Sequence, residues 1–204
     1  MKAPAIYVAS QSPRRHELLR QLGVDFDVLL LREAAGRPRD VDEVARDGEP
    51  ALHYVERIAR TKASVGGAQM LRRGLSPRPV LGADTEVVLD GEIFGKPRDA
   101  ADAARMLERL SGRTHQVTTT VALFWNDEES AEIVTSEVTF RPLERAEIKR
   151  YVATGESADK AGAYAIQGRA AAFVARLEGS YSGVMGLPLY ETANLLAGAG
   201  LVLL

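Results

Sequence analysis

The run Ile6-Tyr7-Val8-Ala9-Ser10-Gln11-Ser12-Pro13-Arg14-Arg15-His16-Glu17-Leu18-Leu19-Arg20-Gln21-Leu22-Gly23 decides the fold class. Residues 6–9 form a short β-rich stretch that ends in a polar turn. Ser12 suits a helix N-cap, and Pro13 suits the first helical position, where its missing N–H costs nothing. Leu18, Leu19 and Leu22 then make an apolar stripe at helical spacing, and Gly23 is placed to end it. Strand, polar turn, helix is the opening of many α/β folds.

The remaining chain continues in the same idiom. Residues 28–31 read as a second buried strand, whose start could reach back to about Asp25, and residues 32–49, rich in charge, Gly and Pro, as a loop. A helix of moderate length is expected from about Ala51, with Leu52, Val55, Ile58 and Ala59 on one face and Lys62 on the same stripe. Residues 80–89 form a strand with Gly82-Ala83-Asp84 inside it, and Asp90-Gly91 turns it into a short return strand at 92–94. Residues 99–110 have helical spacing. Residues 115–125 and 132–140 read as an antiparallel hairpin joined through the polar residues 126–129. Pro142 is expected to open a helix that stops near Gly155. Residues 170–177 fit helix or strand equally, and residues 188–196 form a closing helix. Residues 1–204 therefore read as a single α/β domain, a mixed, twisted β-sheet flanked by helices.

Composition excludes several chemistries. The chain has 204 residues, 46% hydrophobic and 26% charged, enough for a real core and unlike a disordered chain. Its 26 Lys and Arg against 28 Asp and Glu leave a formal charge of -2, so no global field draws it to nucleic acid or an anionic membrane. With no Cys, disulfide scaffolds, thiol catalysis and iron–sulfur chemistry are out. His16, His53 and His115 are far apart and read as structural or surface residues, which leaves no pattern for a zinc hydrolase. No apolar run nears the roughly 20 residues of a bilayer span, and the first ten residues do not read as a secretory signal, so a soluble cytoplasmic protein is expected.

Four segments carry candidate chemistry. In Ser10-Gln11-Ser12-Pro13-Arg14-Arg15, two arginines sit in the first helical turn, where cations oppose the macrodipole, and Arg15 takes the place where Glu would complete a capping box. Hydroxyls, guanidinium forks and backbone N–H groups converging there suit a polyphosphate, although on this segment alone two solvated arginines on an ordinary helix are the slightly favoured reading. Asp84 lies in an apolar strand, where a carboxylate needs a cation or a proton to handle: a metal ligand, a base for water, or both, against a hydrogen-bonded turn acid. Gly95-Lys96-Pro97 puts one cation in a rigid turn after the hairpin. Residues 159–168 mix an ion pair, two glycines and Gln167, whose amide matches the O4 and N3–H edge of uracil or thymine.

Taken together, these segments resemble the Maf family of nucleoside triphosphate pyrophosphatases. The matching motifs are Ser10-x-Ser12-Pro13-Arg14-Arg15, Asp40-Val41-Asp42-Glu43, Gly82-Ala83-Asp84-Thr85, Gly95-Lys96-Pro97, and Asp159-Lys160-Ala161-Gly162-Ala163-Tyr164 with Gln167-Gly168. The resemblance implies a fold related to the inosine triphosphate pyrophosphatases, often a homodimer, and hydrolysis between the α- and β-phosphates with a divalent cation, Mg or Mn. It assigns Asp84 as proton acceptor and metal ligand, and Glu43 as a metal-side acid with Glu33 as competing candidate. Ser10, Ser12, Arg14, Arg15, Lys62 and Lys96 line the phosphate site. Arg14, Thr85 and Gln167 are similar to the branch acting on dTTP and UTP, with modified pyrimidine nucleotides as further expected substrates. The rivals are a 7-methyl-GTP pyrophosphatase of the same family, against which Gln167 speaks, and a nucleotide-binding regulator of division with vestigial hydrolysis, against which the full motif set speaks.

Overall fold

The structure is a computed structural model describing residues 5–31 and 40–203. A seven-stranded mixed sheet runs in the order β2-β1-β3-β5-β6-β7, with β4 paired to β3. The chain condenses into two compact units, one of Met1–Asp84, Thr119–Ile133 and Gly186–Leu204, the other of Thr85–Thr118 and Val134–Met185.

In the first unit, β1 (Ile6–Val8) is wholly buried and pairs in parallel with β2 (Phe26–Val28) on one side and β3 (Val80–Leu89) on the other. The expected opening is present. α1 (Pro13–Gln21) has Ser12 as N-cap and Pro13 at its start, buries Leu18 and Leu19, and is followed by Gly23 at φ 76°. The second strand occupies the early part of the expected stretch and stops before residues 29–31. β2 covers residues 26–28, because β1 offers only three residues to pair with, and Val28 and Leu30 lie 40% and 54% exposed. Leu29 turns inward, its N–H donating to the Val8 carbonyl at 2.9 Å, and Leu31 packs partly buried on the same cluster.

α2 (Ala51–Arg72) is 22 residues long, longer than the moderate helix expected. Its buried face holds Val55 and Ile58, then narrows to Ala59, Ala63, Gly66 and Gly67. Burying a Val or Ile side chain contributes about 1.5–3 kcal/mol. The small residues do something different: they let helix and sheet approach closely. A Cβ on Gly66 would meet the Val80 side chain at 2.7 Å, and one on Gly67 would strike the Phe124 ring. β5 (Thr114–Trp125) and β6 (Glu128–Phe140) follow, and α6 (Leu189–Gly198), with Pro188 as N-cap, closes the unit as expected. The turn between β5 and β6 is only Asn126-Asp127, at φ 53° and 62°, so β6 begins four residues before the expected 132. Asn and Asp tolerate the left-handed angles that a two-residue hairpin demands.

The second unit packs α3 (Ala100–Leu110) and α4 (Arg145–Val152) with the distal parts of β3, β5 and β6. β3 turns through Asp90-Gly91, at φ 53° and 80°, into antiparallel β4 (Glu92–Phe94), with Leu89 opposite Glu92. Thr114 and Thr118 of β5 face Thr139 and Thr135 of β6 through hydroxyl bonds of 2.8 and 3.1 Å, which fixes the hairpin register. α4 starts at Arg145 rather than Pro142, because the Glu144 N–H donates to the Glu147 carboxylate at 3.1 Å and sets the cap there. The ambiguous stretch at 170–177 is both things in turn: a short 3₁₀ segment over Arg169–Phe173, then β7 (Val174–Glu178), antiparallel to β6. α5 (Tyr181–Met185) ends the unit. Its core is aromatic, with Phe140 edge-on to Tyr164 at 4.8 Å and to His115 at 4.9 Å.

Candidate active site

Chain order dictates where a ligand would meet the first unit. From β1 the chain passes through α1 to β2 on one side, then through α2 to β3 on the other side of β1. Strand order therefore reverses between β1 and β3, and the crevice outside the carboxyl ends of two such strands is the usual ligand position in open α/β sheets. The two strongest candidate segments lie close to that point, the Ser10 segment after β1 and the Asp84 segment within β3. Ser10 follows the carboxyl end of β1, and the Ala9 N–H bonds the Leu81 carbonyl at 2.8 Å. β3 continues past that pairing into Gly82-Ala83-Asp84.

The Ser10 segment is built as a rigid turn. The Ser10 hydroxyl accepts from the Ser12 N–H at 3.2 Å and from Arg15 Nη1 at 3.3 Å. Arg15 Nε also donates to the Gly186 carbonyl at 2.8 Å, tying the first turn of α1 to the residues before α6. His16 Nε2 lies 2.8 Å from the Ser10 carbonyl, and its ring packs on Phe26, so the predicted structural role of His16 is to hold this turn. The Ser12 side chain makes no cap bond, and the first turn holds no acid. Arg14 is half-buried beside it.

Asp84, Lys62 and Glu43 meet. Lys62 Nζ lies 2.8 Å from Asp84 Oδ1 and 2.7 Å from Glu43 Oε1, one ammonium bridging two carboxylates. The Asp84 and Lys62 side chains keep only 12% and 14% of their surface exposed, against 38% for Glu43. Gly82 makes this pairing possible. A Cβ there would lie 2.5 Å from the Ala59 carbonyl oxygen and 2.6 Å from the Ala63 nitrogen, so β3 runs directly against the backbone of α2 beside Lys62. The inward Lys of the apolar stripe thus finds its counter-ion two residues beyond the glycine that admits it.

Asp84 Oδ2 is buried and accepts no hydrogen bond among the described residues. An ionised oxygen in that state is costly unless a cation or a protonated ligand group completes it. Among the described residues no three acidic or imidazole groups cluster as a metal cage. Mg²⁺ takes hard oxygen donors, commonly from one or two carboxylates together with waters and ligand phosphates. Asp84 and Glu43 fit such an ion. Glu33 lies outside the described residues.

The remaining predicted residues belong to the second unit. Thr85 opens it directly after Asp84 and is half-buried, whereas Lys96 and Gln167 are exposed. Their two loops are joined: the Gly162 N–H donates to the Gly95 carbonyl at 3.2 Å. Gly162, at φ 65°, has no room for a side chain, since a Cβ would meet Val87 at 2.8 Å. The turn carrying Gln167 is pinned on both flanks. The Ala165 N–H donates to the Tyr151 hydroxyl at 3.2 Å, and the Arg169 N–H to Glu156 Oε2 at 3.1 Å. Tyr151 in turn donates to Glu156 Oε1 at 2.9 Å, and burial pushes its pKa upward. His115, the third histidine, is 2% exposed, bonded to the Tyr164 hydroxyl at 2.9 Å, and held neutral by burial, which lowers its pKa to about 4.

Sequence reasoning passed over Tyr54 and Arg57. Tyr54 donates to the Glu43 carbonyl at 2.9 Å, and Arg57 forks onto Glu49 at 2.6 and 2.7 Å. Their spacing, three apart at the start of a helix that follows an acid-rich loop, was the available signal.

Residues 5–199 match the family described as "Maf-like protein". The dTTP/UTP pyrophosphatase of Aromatoleum aromaticum is 56% identical over 196 residues, covering 96% of this chain and 95% of that protein. The dTTP/UTP pyrophosphatase of Nitrosospira multiformis is 56% identical over 191 residues, 94% and 92% of the two chains. That of Cupriavidus metallidurans is 53% identical over 196 residues, 96% and 97% of the two chains. Among solved structures, the Staphylococcus aureus Ham1 protein aligns over 66% of this chain and 71% of its own, with 18% identity and a TM-score of 0.42.

Proposed function

The chain belongs to the Maf family, and on that premise we propose that it is a nucleoside triphosphate pyrophosphatase acting on dTTP and UTP. The products are the nucleoside monophosphate and pyrophosphate, and modified pyrimidine triphosphates are further substrates. Residues 1–204 act as one such domain, as a cytoplasmic homodimer. The observation that carries the reading is the Lys62 ammonium held between Asp84 and Glu43, where β3 runs on past its pairing with β1. Relatives more than half identical over nearly the whole chain, and named for this activity, support it.

In this reading Asp84 is the proton acceptor. Its Oδ2 atom has an open lone pair and a dry setting, which suits a base that orients a water for attack on the α-phosphorus. Glu43 and Asp84 would hold a divalent cation, Mg²⁺ or Mn²⁺, which supplies neutralisation of phosphate charge as it develops in the transition state. Lys62 and Lys96 meet the phosphates as point charges. Arg14 and Arg15 contribute guanidinium charge to the phosphate site, with Ser10 and Ser12 fixing the turn between them. Gln167, on its pinned turn, reads the O4 and N3–H edge of the base, and Thr85 and Arg14 share in the selection.

The test is a panel of nucleoside triphosphates, including 7-methyl-GTP, incubated with Mg²⁺ or Mn²⁺ and assayed for pyrophosphate. Pyrophosphate released fastest from dTTP and UTP is expected. Faster turnover of 7-methyl-GTP would move the chain to the other branch, and tight nucleotide binding without turnover would make it a regulator.

A further inference from the structure

Glu43 sits in an exposed segment that has no regular structure of its own, yet its carboxylate reaches Lys62 at 2.7 Å. Something must hold it there, because a free eight-residue loop would place that carboxylate near the ammonium only a fraction of the time. One side chain contacts both ends of the segment. Arg57 Nε and Nη2 fork onto the Glu49 carboxylate at 2.6 and 2.7 Å. The same guanidinium donates to the Val44 carbonyl at 3.1 Å and the Asp42 carbonyl at 3.5 Å, the two residues flanking Glu43. Glu49 turns the chain back on itself by accepting from the Arg46 N–H at 3.0 Å. One turn earlier on α2, Tyr54 fixes the Glu43 carbonyl itself.

We propose that Arg57 is a positioning residue: its fork clamps residues 42–49 around Glu43 and so sets how tightly the Glu43–Asp84 pair holds a divalent cation. Lys cannot replace it, since an ammonium is a single point of charge and cannot span a carboxylate and two carbonyls at once. The clamp is insensitive to pH across the working range, because the guanidinium holds the Glu49 carboxyl down at about 2. Arg57 touches neither Asp84 nor Lys62 in this arrangement and acts through Glu43. Groups that orient a ligand in this way commonly change metal affinity 10–100-fold when removed.

The inference rests on the proposed role of Glu43, and the experiment separates the two. Full-length wild type, Arg57→Lys, Glu43→Gln and the double variant are titrated with Mn²⁺ by calorimetry without nucleotide, and hydrogen exchange of residues 42–49 is measured on the metal-free proteins. Arg57→Lys should bind Mn²⁺ about 10–100-fold more weakly and exchange the Val44 and Arg46 amides faster. Glu43→Gln should weaken Mn²⁺ binding at least as much without loosening the loop, and the double variant should be no weaker than Glu43→Gln alone. Wild-type Mn²⁺ affinity in Arg57→Lys, a double variant weakened by the product of the two factors, or no Mn²⁺ binding to the wild type would each overturn the proposal. Wild-type affinity in Glu43→Gln would overturn it together with the assignment of Glu43. Absence of pyrophosphate release from dTTP by the same wild-type preparation, with the binding pattern intact, would instead refute the proposed activity and leave the clamp standing.

Discussion

Replacing Gly82 with Ala adds one methyl group at the point where β3 crosses α2. That carbon would sit 2.5 Å from the Ala59 carbonyl oxygen, 2.6 Å from the Ala63 nitrogen and 3.0 Å from Lys62 Cβ. Comfortable carbon contacts are about 3.5–4.0 Å, so helix and strand must separate by about 1 Å. Two of the three obstacles are backbone atoms, which no rotamer change can move. Overpacking of this kind costs about 1–3 kcal/mol, and the lower backbone entropy of Ala in the unfolded chain returns only about 0.4–1 kcal/mol of it. With a urea dependence of about 2 kcal/mol per molar, the midpoint should fall by several tenths of a molar to about 1 M. The functional effect is larger. The shift falls on the residues that set the 2.8 Å Lys62–Asp84 contact, and a 1 Å misplacement of reacting groups can cost about 100-fold in rate. Urea unfolding and pyrophosphate release from dTTP measure the two effects on one preparation. Gly198→Ala, at a helical position where an added carbon meets nothing within 4 Å, is the control: turnover should match wild type and stability should rise by about 0.4–1 kcal/mol. A Gly82→Ala protein as stable and as fast as wild type would refute the claim that this crossing sets the Lys62–Asp84 geometry.

Three other outcomes are expected. Asp84→Asn keeps the volume and removes the proposed base, so turnover should drop at least about 100-fold while the unfolding midpoint stays within a few tenths of a molar of wild type; undiminished turnover would take Asp84 out of the chemistry. His115 ionises near 6.5 when unfolded but only near 4 when folded, so the unfolded chain binds the extra proton first and stability falls as pH drops below 6.5, levelling off below about 4. The full loss is about 3 kcal/mol; His115→Phe, which keeps the aromatic contacts, should flatten the stability curve between pH 6.5 and 4.5, and an unchanged slope would contradict the buried neutral imidazole. Arg109→Ala, which removes an exposed pair with Glu92 at 2.7 Å, should cost less than about 1 kcal/mol in thermal unfolding.

Much of this architecture was legible in residue order because local chemistry decided it. Pro13 after Ser12, and Asp90-Gly91 between apolar runs, admit few readings, and both fall where expected. Lys62 was legible as a cation on an apolar stripe, open to snorkelling or to a partner, and Asp84 as an acid in an apolar strand, open to a metal or water role or to a turn hydrogen bond; the structure pairs the two. That the two find each other depends on Gly82, whose meaning is a clearance between backbones and appears only in three dimensions. The misplaced boundaries share a cause. The run at 28–31 is apolar enough for a strand but has no partner beyond Val8, and residues 128–131 are polar enough for a loop but lie on an exposed strand edge of a tight hairpin. Pairing partners, not composition, set where those strands stop. Arg57 stayed hidden because a charged residue near the start of a helix is ordinarily a solvated one; its four acceptors come from a segment with no periodicity to reveal them.

Hydrolysis of dTTP in ¹⁸O-labelled water asks whether the Asp84 site delivers water to the α-phosphorus. Mass spectrometry of the products should find one labelled oxygen in dTMP and none in pyrophosphate. Label in pyrophosphate, or label in orthophosphate with dTDP as the nucleotide product, would contradict it.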